Sequence, residues 1–300
     1  MIELKNIDKS FNKVHAIDHM SADIKDGLIF GLVGSNGAGK STLMRLISGI
    51  FQPDSGKILI DGKPVFENPE AKKDVCFLSD TAYFFPNATP ASMRDYYQMI
   101  YPKFNKKYYD ELIEKVGLEP DRKINTFSKG MKKQVSILLG LSTGTKYLLC
   151  DETFDGLDPV MRQAVKGLFA AELMNRDFTP VIASHNLREL EDICDSVGLL
   201  HNGQLLFTQD LDSLKVNVHK IQCVLPDSIP EEQLLKKLHV LQYEKSGSLM
   251  LITARGTKEA LLECVNSMNP VFAEILPLSL EEIFISETEV AGYDIKNIIE

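Results

Sequence analysis

The sequence predicts an α/β protein in which a mainly parallel sheet, covered by helices on both faces, is followed by a smaller α+β domain. Through about residue 200, short apolar runs alternate with segments of helical spacing, a pattern typical of parallel sheets. After Lys215 a new pattern predicts elements in the order βαββαβ, which is ferredoxin-like. We therefore expect two domains, residues 1–215 and 216–300.

The N-terminal segment predicts a small antiparallel β-subdomain. Apolar and polar residues alternate over residues 2–7, as in a half-buried strand, and a second strand is expected over 19–24. Phe11 lies in the polar segment between them. A short buried strand is predicted at 28–33, and a helix follows whose apolar residues are Leu43, Leu46, Ile47 and Ile50.

The rest of the first domain follows from the same patterns. Residues 92–117 look helical within a helical subdomain of about residues 81–145, and Ser128 is placed to cap an amphipathic helix over 128–142. The other expected elements are strands 57–60, 75–78, 147–150, 181–184, 197–200 and 204–207, and helices 159–175 and 187–194.

The second domain is predicted from short alternating runs and turn residues. The expected elements are strands 219–225, 239–245, 249–254 and 271–276, and helices 231–238, 257–268 and 279–287. No cluster of catalytic residue types occurs in this part of the sequence. Packing, support of a dimer or regulation is the role that we expect for it, with ligand sensing as an alternative.

Composition excludes several classes of protein. The sequence is 44 % apolar, enough for a sizeable core, and its net charge of −9 argues against a protein that mainly grips nucleic acid. The five cysteines are scattered without a CxxC pair, so we expect them to be reduced and mostly buried in a cytoplasmic protein. We expect no signal peptide and no run of the roughly 18–20 apolar residues that spans a bilayer.

One segment fits the pattern G-x-x-x-x-G-K-[ST] between the predicted strand 28–33 and the helix after it. Strand, glycine loop and helix together predict a phosphate-binding loop, because the loop's N–H groups and the helix N-terminus attract anions. The lysine would reach the β- and γ-phosphates, and the serine hydroxyl would hold Mg²⁺. The residues of the segment are Gly34, Ser35, Asn36, Gly37, Ala38, Gly39, Lys40, Ser41 and Thr42.

Two adjacent carboxylates follow the apolar run 147–150. Asp151 at the strand end could meet Mg²⁺ across from Ser41. Neighbouring residues of a strand face opposite sides, so Asp151 and Glu152 cannot share one task unless the strand has already ended. We expect Asp151 to bind the metal and Glu152 to act as general base on the attacking water.

Three further motifs carry a family resemblance. Residues 127–134 (FSKGMKKQ) resemble the signature motif of the ABC transporter ATPases, residues 152–159 (ETFDGLDP) their stretch from catalytic glutamate to D-loop, and residues 183–190 (ASHNLREL) their switch-histidine region. The motifs occur in the family's order and at similar spacing over residues 1–215. The resemblance implies the ABC-cassette form of the P-loop NTPase fold.

The resemblance also implies roles in binding ATP and Mg²⁺. His185 would contact the γ-phosphate, Asp158 would bridge two subunits, and Phe11, or alternatively Val14, would stack on adenine. The signature segment would bind the γ-phosphate of ATP held by the other subunit of a dimer, with Lys129 either adding charge there or remaining solvated. This segment consists of Ser128, Lys129, Gly130 and Met131.

The segment after the strand 75–78 departs from the family pattern. Asp80 stands where transporter members usually carry Gln, and it is expected to reach Mg²⁺ either directly or through a water. The aromatic run Tyr83–Phe85 that follows matches the region that receives a helix of the membrane subunit, although local packing would equally explain it.

The hypothesis that we favour is that the protein is the ATP-hydrolysing subunit of a bacterial exporter of drugs, antibiotics or amphipathic peptides. It would act as a homodimer or a heterodimer with a related chain, peripheral on the inner face of the membrane and bound to separate permease subunits, without a nucleic-acid partner. The alternatives are a non-transport ABC protein acting on ribosomes or DNA, and a nucleotide-gated regulatory module with weak turnover.

Overall fold

The computed structural model of the chain describes residues 1–226 and 228–290. It divides after Thr208 into two compact units, so the boundary lies a few residues before the one expected from the sequence. Within the described residues, no helix is long and apolar enough to cross a membrane. All five cysteines are free, and four of them are buried, as expected.

The first unit begins with an antiparallel sheet of strand order β2-β1-β4-β5, which confirms the predicted N-terminal β-subdomain. Its first two strands are longer than the sequence pattern suggested and are joined by a tight turn at Asn12, whose φ is positive. The strands are β1 (Ile2–Phe11), β2 (Val14–Ile24), β4 (Ser55–Ile60) and β5 (Lys63–Pro64).

A second sheet of six strands has the order β10-β9-β3-β8-β7-β6 and forms the centre of the unit. Strand β3 runs parallel to β8 and β9, and β7 runs parallel to β8 and β6, so the predicted parallel sheet is confirmed. The strands are β3 (Phe30–Val33), β6 (Val75–Leu78), β7 (Tyr147–Asp151), β8 (Thr179–Ser184), β9 (Ser196–His201) and β10 (Gln204–Asp210).

Parallel strands bring their carboxyl ends to one edge of the sheet, where α/β proteins bind ligands. Four functional segments leave the sheet at this edge. They are the loop after β3, Asp80 after β6, Glu152 after β7 and His185 after β8. The order of strands therefore gathers residues that are more than a hundred positions apart in the sequence.

The helices of this unit cover the parallel sheet and form the helical subdomain. The segment 92–117, predicted to be helical, forms two helices, because α3 ends at Ile100 and α4 begins at Lys106. Pro102 has no N–H for helical bonding, and the Asn105 side chain caps α4 by accepting from the Tyr108 N–H at 3.0 Å. The helices are α1 (Lys40–Ile47), α2 (Pro69–Lys72), α3 (Pro90–Ile100), α4 (Lys106–Lys115), α5 (Lys129–Ser142), α6 (Pro159–Asn175) and α7 (Leu187–Glu191).

The second unit has the strand order β12-β13-β11-β14, all of its pairs being antiparallel. This is the ferredoxin-like order, so the predicted fold of the unit is confirmed. Its core includes the fully buried Ile221 and Ile252. The elements are α8 (Leu211–Asn217), β11 (Val218–Val224), α9 (Glu231–Leu235), β12 (His239–Ser246), β13 (Leu249–Arg255), α10 (Lys258–Asn266), β14 (Phe272–Leu276) and α11 (Leu280–Val290).

Candidate functional site

The loop between β3 and α1 is shaped by glycines at positions where a side chain cannot fit. Gly39 has a φ of 110°, and a Cβ there would lie 2.5 Å from the carbonyl oxygen of Ala16. Lys40, which begins α1, is buried, and its Nζ donates to the carbonyl oxygen of Gly34 at 2.7 Å. The lysine is thus folded back over its own loop, as a group that binds phosphates held in that loop would be.

Ser41 and Asp151 form the part of the site that fits a divalent cation. The Ser41 hydroxyl donates to Asp151 Oδ1 at 3.0 Å, and Asp151 is 1 % exposed. Burial raises the pKa of the Asp151 carboxyl above its ordinary value, and the nearby carboxylates of Glu152 and Asp80 act in the same direction. Hard oxygen donors of this kind, one of them anionic, suit Mg²⁺.

Glu152 occupies the centre of the site, one residue beyond the end of β7. Its φ of 49° is left-handed, so the alternation of the strand has ended and Glu152 does not follow the strand geometry of Asp151. One carboxylate oxygen lies 3.3 Å from Lys40 Nζ, and the other lies 2.8 Å from His185 Nδ1. This arrangement places a carboxylate, an imidazole and an ammonium group within reach of one reacting molecule.

These groups line a cavity of about 510 Å³ at the carboxyl edge of the parallel sheet. Phe11 and Val14 both line the cavity and are both exposed. Either of the two alternatives for stacking on adenine is therefore still available. Phe11 also packs edge-to-face on Phe51, with ring centres 5.3 Å apart. The lining residues are Phe11, Val14, Ala16, Asn36, Gly37, Gly39, Lys40, Ser41, Thr42, Asp80, Lys129, Glu152, Asp155 and His185.

The chain resembles known proteins both in its sequence and in its fold. Residues 17–155 match the protein family described as "ABC transporter". The ABC transporter ATP-binding protein YtrB of Bacillus subtilis is 31 % identical to the chain, and the match covers 96 % of the chain and 98 % of YtrB. The chain belongs to the ABC transporter ATP-binding proteins.

Two further comparisons agree with this assignment. The bacitracin transport ATP-binding protein BcrA of Bacillus licheniformis is 28 % identical, over 99 % of the chain and 97 % of BcrA. The solved structure of an ATP-binding subunit of an ABC transporter superposes with a TM-score of 0.66 at 25 % identity, covering 72 % of the chain and 92 % of that structure. As a member of this family, the protein binds and hydrolyses ATP.

The signature segment of this ABC ATPase is only partly at the cavity. Ser128 caps α5, as predicted, by accepting from the Met131 N–H at 3.2 Å, and Met131 packs against the core of the helical subdomain. Of residues 128–131, only Lys129 lines the cavity. A Cβ on Gly130 would lie 3.0 Å from the carbonyl oxygen of Gly156, so the segment adjoins the D-loop of the same chain.

Some predicted residues lie outside the cavity lining. Asp158 is the N-cap of α6 and accepts from the Met161 N–H at 2.9 Å. Asp151 lies behind Ser41 and reaches the cavity through it. Within the phosphate loop, Gly34, Ser35 and Ala38 shape the backbone and do not line the space.

Sequence reasoning missed two charged residues of the site, besides Ala16 in the cavity lining. Asp155 lines the cavity, with one carboxylate oxygen 3.8 Å from His185 Nδ1, and its place in the stretch 152–159 of this ABC ATPase was the available signal. Lys133 is a buried lysine on α5 that donates to Asp80 and to the main chain of Glu152. The cluster of lysines at 129, 132 and 133 gave no indication that the third would be buried.

Proposed function

We propose that the protein supplies the energy for an ABC exporter by hydrolysing Mg·ATP in the cavity at the carboxyl edge of the parallel sheet. The observation that carries this proposal is the convergence of Lys40, Glu152 and His185 beside the Ser41–Asp151 pair. Each group comes from a different element of the sheet edge. Together they provide phosphate binding, metal binding and a base, which is what phosphoryl transfer to water requires.

In this proposal, Glu152 accepts the proton of the attacking water, and His185 orients the Glu152 carboxylate through their 2.8 Å contact. Lys40 contacts Glu152 in this structure and would turn to the β- and γ-phosphates of bound ATP. This exchange of partners would free the carboxylate for the water only when nucleotide is present. Phe11 or Val14 would cover the adenine.

Mg²⁺ would be held by Ser41 and Asp151, with one oxygen of Asp80 facing the same space. The bound cation would neutralise charge on the phosphates. It would also favour the ionised form of Asp151, against the effect of its burial.

A second copy of the chain, or a related chain, would complete the site. Ser128, Gly130 and Asp158 do not line the cavity of their own chain, although the start of α5 is an anion-attracting helix end. We propose that this helix end meets the γ-phosphate of ATP bound to the other subunit, with Lys129 beside it. ATP would then close the dimer, and hydrolysis would open it.

Sedimentation of two variants tests this mechanism. With Mg·ATP, Glu152→Gln should shift from monomer to dimer, because ATP binds and is not cleaved. Lys40→Ala should remain monomeric under the same conditions, since phosphate binding is lost. Turnover per wild-type subunit should rise with protein concentration, and turnover that is full and independent of concentration would contradict a shared site.

The aromatic segment after Asp80 supports a membrane partner. Tyr83 is 74 % exposed and Phe85 42 % exposed, and their rings meet edge-to-face with centres 5.8 Å apart. Phe84 instead packs against the core of the helical subdomain, and Phe85 also meets the Tyr96 ring edge-to-face with centres 4.8 Å apart. Local packing therefore explains part of the segment and leaves Tyr83 as its most exposed ring. We propose that the groove of about 490 Å³ bordered by residues 81–87 receives a helix of a permease subunit.

Affinity purification of the tagged chain from detergent-solubilised membranes tests this partner. The purified material should contain a polytopic protein, and Tyr83→Glu should lose it while keeping ATP turnover in the isolated subunit. Val271→Glu is a matched control, because Val271 is as exposed as Tyr83 but lies in the second unit. Copurification with ribosomes instead would favour the non-transport alternative.

Drugs, antibiotics or amphipathic peptides are the proposed substrate class, and export is the proposed direction. The support is the likeness to the bacitracin transport protein BcrA over nearly the whole chain. Expression together with the copurified membrane subunit should raise the concentration of bacitracin that a susceptible host tolerates. The Glu152→Gln variant should give no such protection.

A further inference from the structure

Lys133 is a charged side chain that the reaction described above does not use. It lies on the second turn of α5, and its side chain is only 4 % exposed. An ammonium group removed from water is costly unless polar partners replace the water. The partners of Lys133 therefore indicate why the residue is present.

Two groups at the sheet edge hold the Lys133 ammonium. Its Nζ lies 3.3 Å from Asp80 Oδ1 and also donates to the main-chain carbonyl oxygen of Glu152. Asp80 follows β6, Glu152 follows β7, and Lys133 comes from the helix capped by Ser128. One amine thus joins the signature helix to both neighbouring strand ends.

The contact with the main chain falls where the backbone of Glu152 is strained. A residue other than glycine with φ of 49° persists only when its surroundings hold it in place. The hydrogen bond from Lys133 to the Glu152 carbonyl oxygen fixes the orientation of this peptide plane. The orientation of the plane in turn sets the direction in which the Glu152 side chain projects. The carboxylate at the other end is fixed by His185 and Lys40.

The charge of Asp80 has a role in the same arrangement. A carboxylate neutralises the buried ammonium, which an uncharged amide at this position could not do. Asp80 is itself half exposed and lines the nucleotide cavity, so Lys133 occupies one of its oxygens while the other can face the cavity.

We propose that Lys133 is a positioning residue of the ATPase reaction, holding Asp80 and the Glu152 main chain so that the catalytic carboxylate is aimed at the attacking water. This inference rests on the proposed role of Glu152. Lys133 does not line the nucleotide cavity, so it would act through Glu152. Because Lys133 belongs to α5, the orientation of the Glu152 carboxylate would also depend on the position of that helix, whose start is proposed to meet the other subunit.

The test measures kcat, KM for ATP and ATP affinity in Lys133→Met, which keeps the length of the side chain and removes its donor. We expect kcat to fall by roughly 10–100-fold, the usual effect of lost outer-shell support, while ATP affinity stays within about threefold. Lys115→Met removes an exposed lysine of α4 and should leave all three quantities unchanged. An unchanged kcat in Lys133→Met would overturn the proposal.

A double-mutant cycle separates positioning from a structural role. If Lys133 acts only through the Glu152 carboxylate, adding Lys133→Met to Glu152→Gln should change the residual turnover by less than about twofold. The same 10–100-fold loss in the Glu152→Gln background would overturn the inference. If Glu152→Gln itself kept full turnover, the proposed function would fail instead.

A second pair of variants covers the case in which Lys133→Met leaves Asp80 unpaired and folds poorly. Asp80→Asn combined with Lys133→Met removes both charges and should melt within a few degrees of Asp80→Asn alone. Its kcat should still lie roughly 10–100-fold below that of Asp80→Asn, because the Glu152 carbonyl has lost its donor. Equal kcat in these two variants would overturn the proposal.

Discussion

The two units of the chain differ in where they place charge. The first unit buries Lys40, Lys133, Asp151 and Glu189, and the first three of these lie at or beside the nucleotide cavity. In the second unit, among the side chains that the structure describes, the buried polar residues are Thr253 and Ser286, which carry no charge. Buried charge costs free energy unless it has a role, so its concentration in the first unit supports the proposal that ATP is hydrolysed there.

The largest expected effect separates the units by activity. Glu152→Gln should lower ATP turnover by roughly 10²–10⁴-fold, the range for loss of a general base, while ATP still binds. Glu244→Gln changes an exposed glutamate of β12 in the second unit and should leave turnover within about twofold. Steady-state phosphate release measures both, and equal losses would remove the functional distinction between the units.

Shortening one buried side chain in the core of each unit should lower the free energy of unfolding by similar amounts but should affect ATP binding differently. Leu149→Ala and Ile252→Ala each remove a fully buried side chain and should each destabilise the protein by about 2–5 kcal/mol. Leu149 packs in the core that includes α1, so its loss should also weaken ATP binding, whereas Ile252→Ala should not.

Urea unfolding monitored by hydrogen exchange shows in which unit each variant loses stability. Titration with ATP measures ATP affinity. A fall in ATP affinity in Ile252→Ala would show that the second unit is energetically coupled to nucleotide binding. The two units would then differ in their chemistry, although ATP binding would depend on the stability of both.

Two helix caps provide a finer comparison. The side chains of Ser128 and Thr257 each accept from the backbone N–H three residues later, at the starts of α5 and α10. Replacement of either by alanine should cost about 0.5–2 kcal/mol of stability. Ser128→Ala should in addition slow ATP turnover, because the helix end that Ser128 caps is proposed to meet the other subunit's ATP. Thermal melts and turnover assays on both variants measure these effects.

The smallest effect concerns acid stability. Burial by itself would raise the pKa of Asp61, but hydrogen bonds from the Met1 ammonium, Lys146 and Tyr147 outweigh it and lower the pKa to about 2. The resulting stabilisation is fully present above the ordinary value of 3.8 and is lost as the pH falls from there through about 2. Because Asp61 is 42 % exposed, solvent screens these pairs and the effect is modest.

Melting temperatures of the wild type and Asp61→Asn between pH 5 and 2 should converge as the solution becomes more acidic. Asp23→Asn, at an exposed position of β2, is the control and should follow the wild-type curve. In the second unit, hydrogen bonds from the Ser279 N–H and then from Lys220 lower the pKa of Glu282. The melting temperatures of the wild type and Glu282→Gln should therefore also converge as the pH falls. A constant gap for Asp61→Asn at all pH values would contradict the assignment.

Local sequence patterns were sufficient for much of this molecule. The glycine loop, the apolar strand before Asp151 and the cap at Ser128 are set by residues that lie next to each other in the chain. The order of elements in the second unit was equally accessible, because turn residues such as Ser246 and Gly247 separate short alternating runs. The ferredoxin-like topology then follows from few possible pairings.

Features that depend on tertiary packing were not accessible in this way. The break around Pro102 was hidden by helical spacing on both sides of it, and the short helix α8 carries little periodicity. Lys133 was missed because a lysine is expected on the surface unless a specific partner holds it, and its partners are 53 and 19 positions away. The pairing of Asp80 with this lysine could not be inferred from a position predicted only to face the metal.

The left-handed backbone of Glu152 has a consequence for how this position can vary. Glycine is the residue that adopts a φ of 49° without steric cost, whereas a side chain there costs of order 1–3 kcal/mol. The fold alone would therefore favour glycine, while the proposed role as general base requires the carboxylate. The stability of the backbone and the proposed chemistry therefore make opposite demands on the residue at position 152.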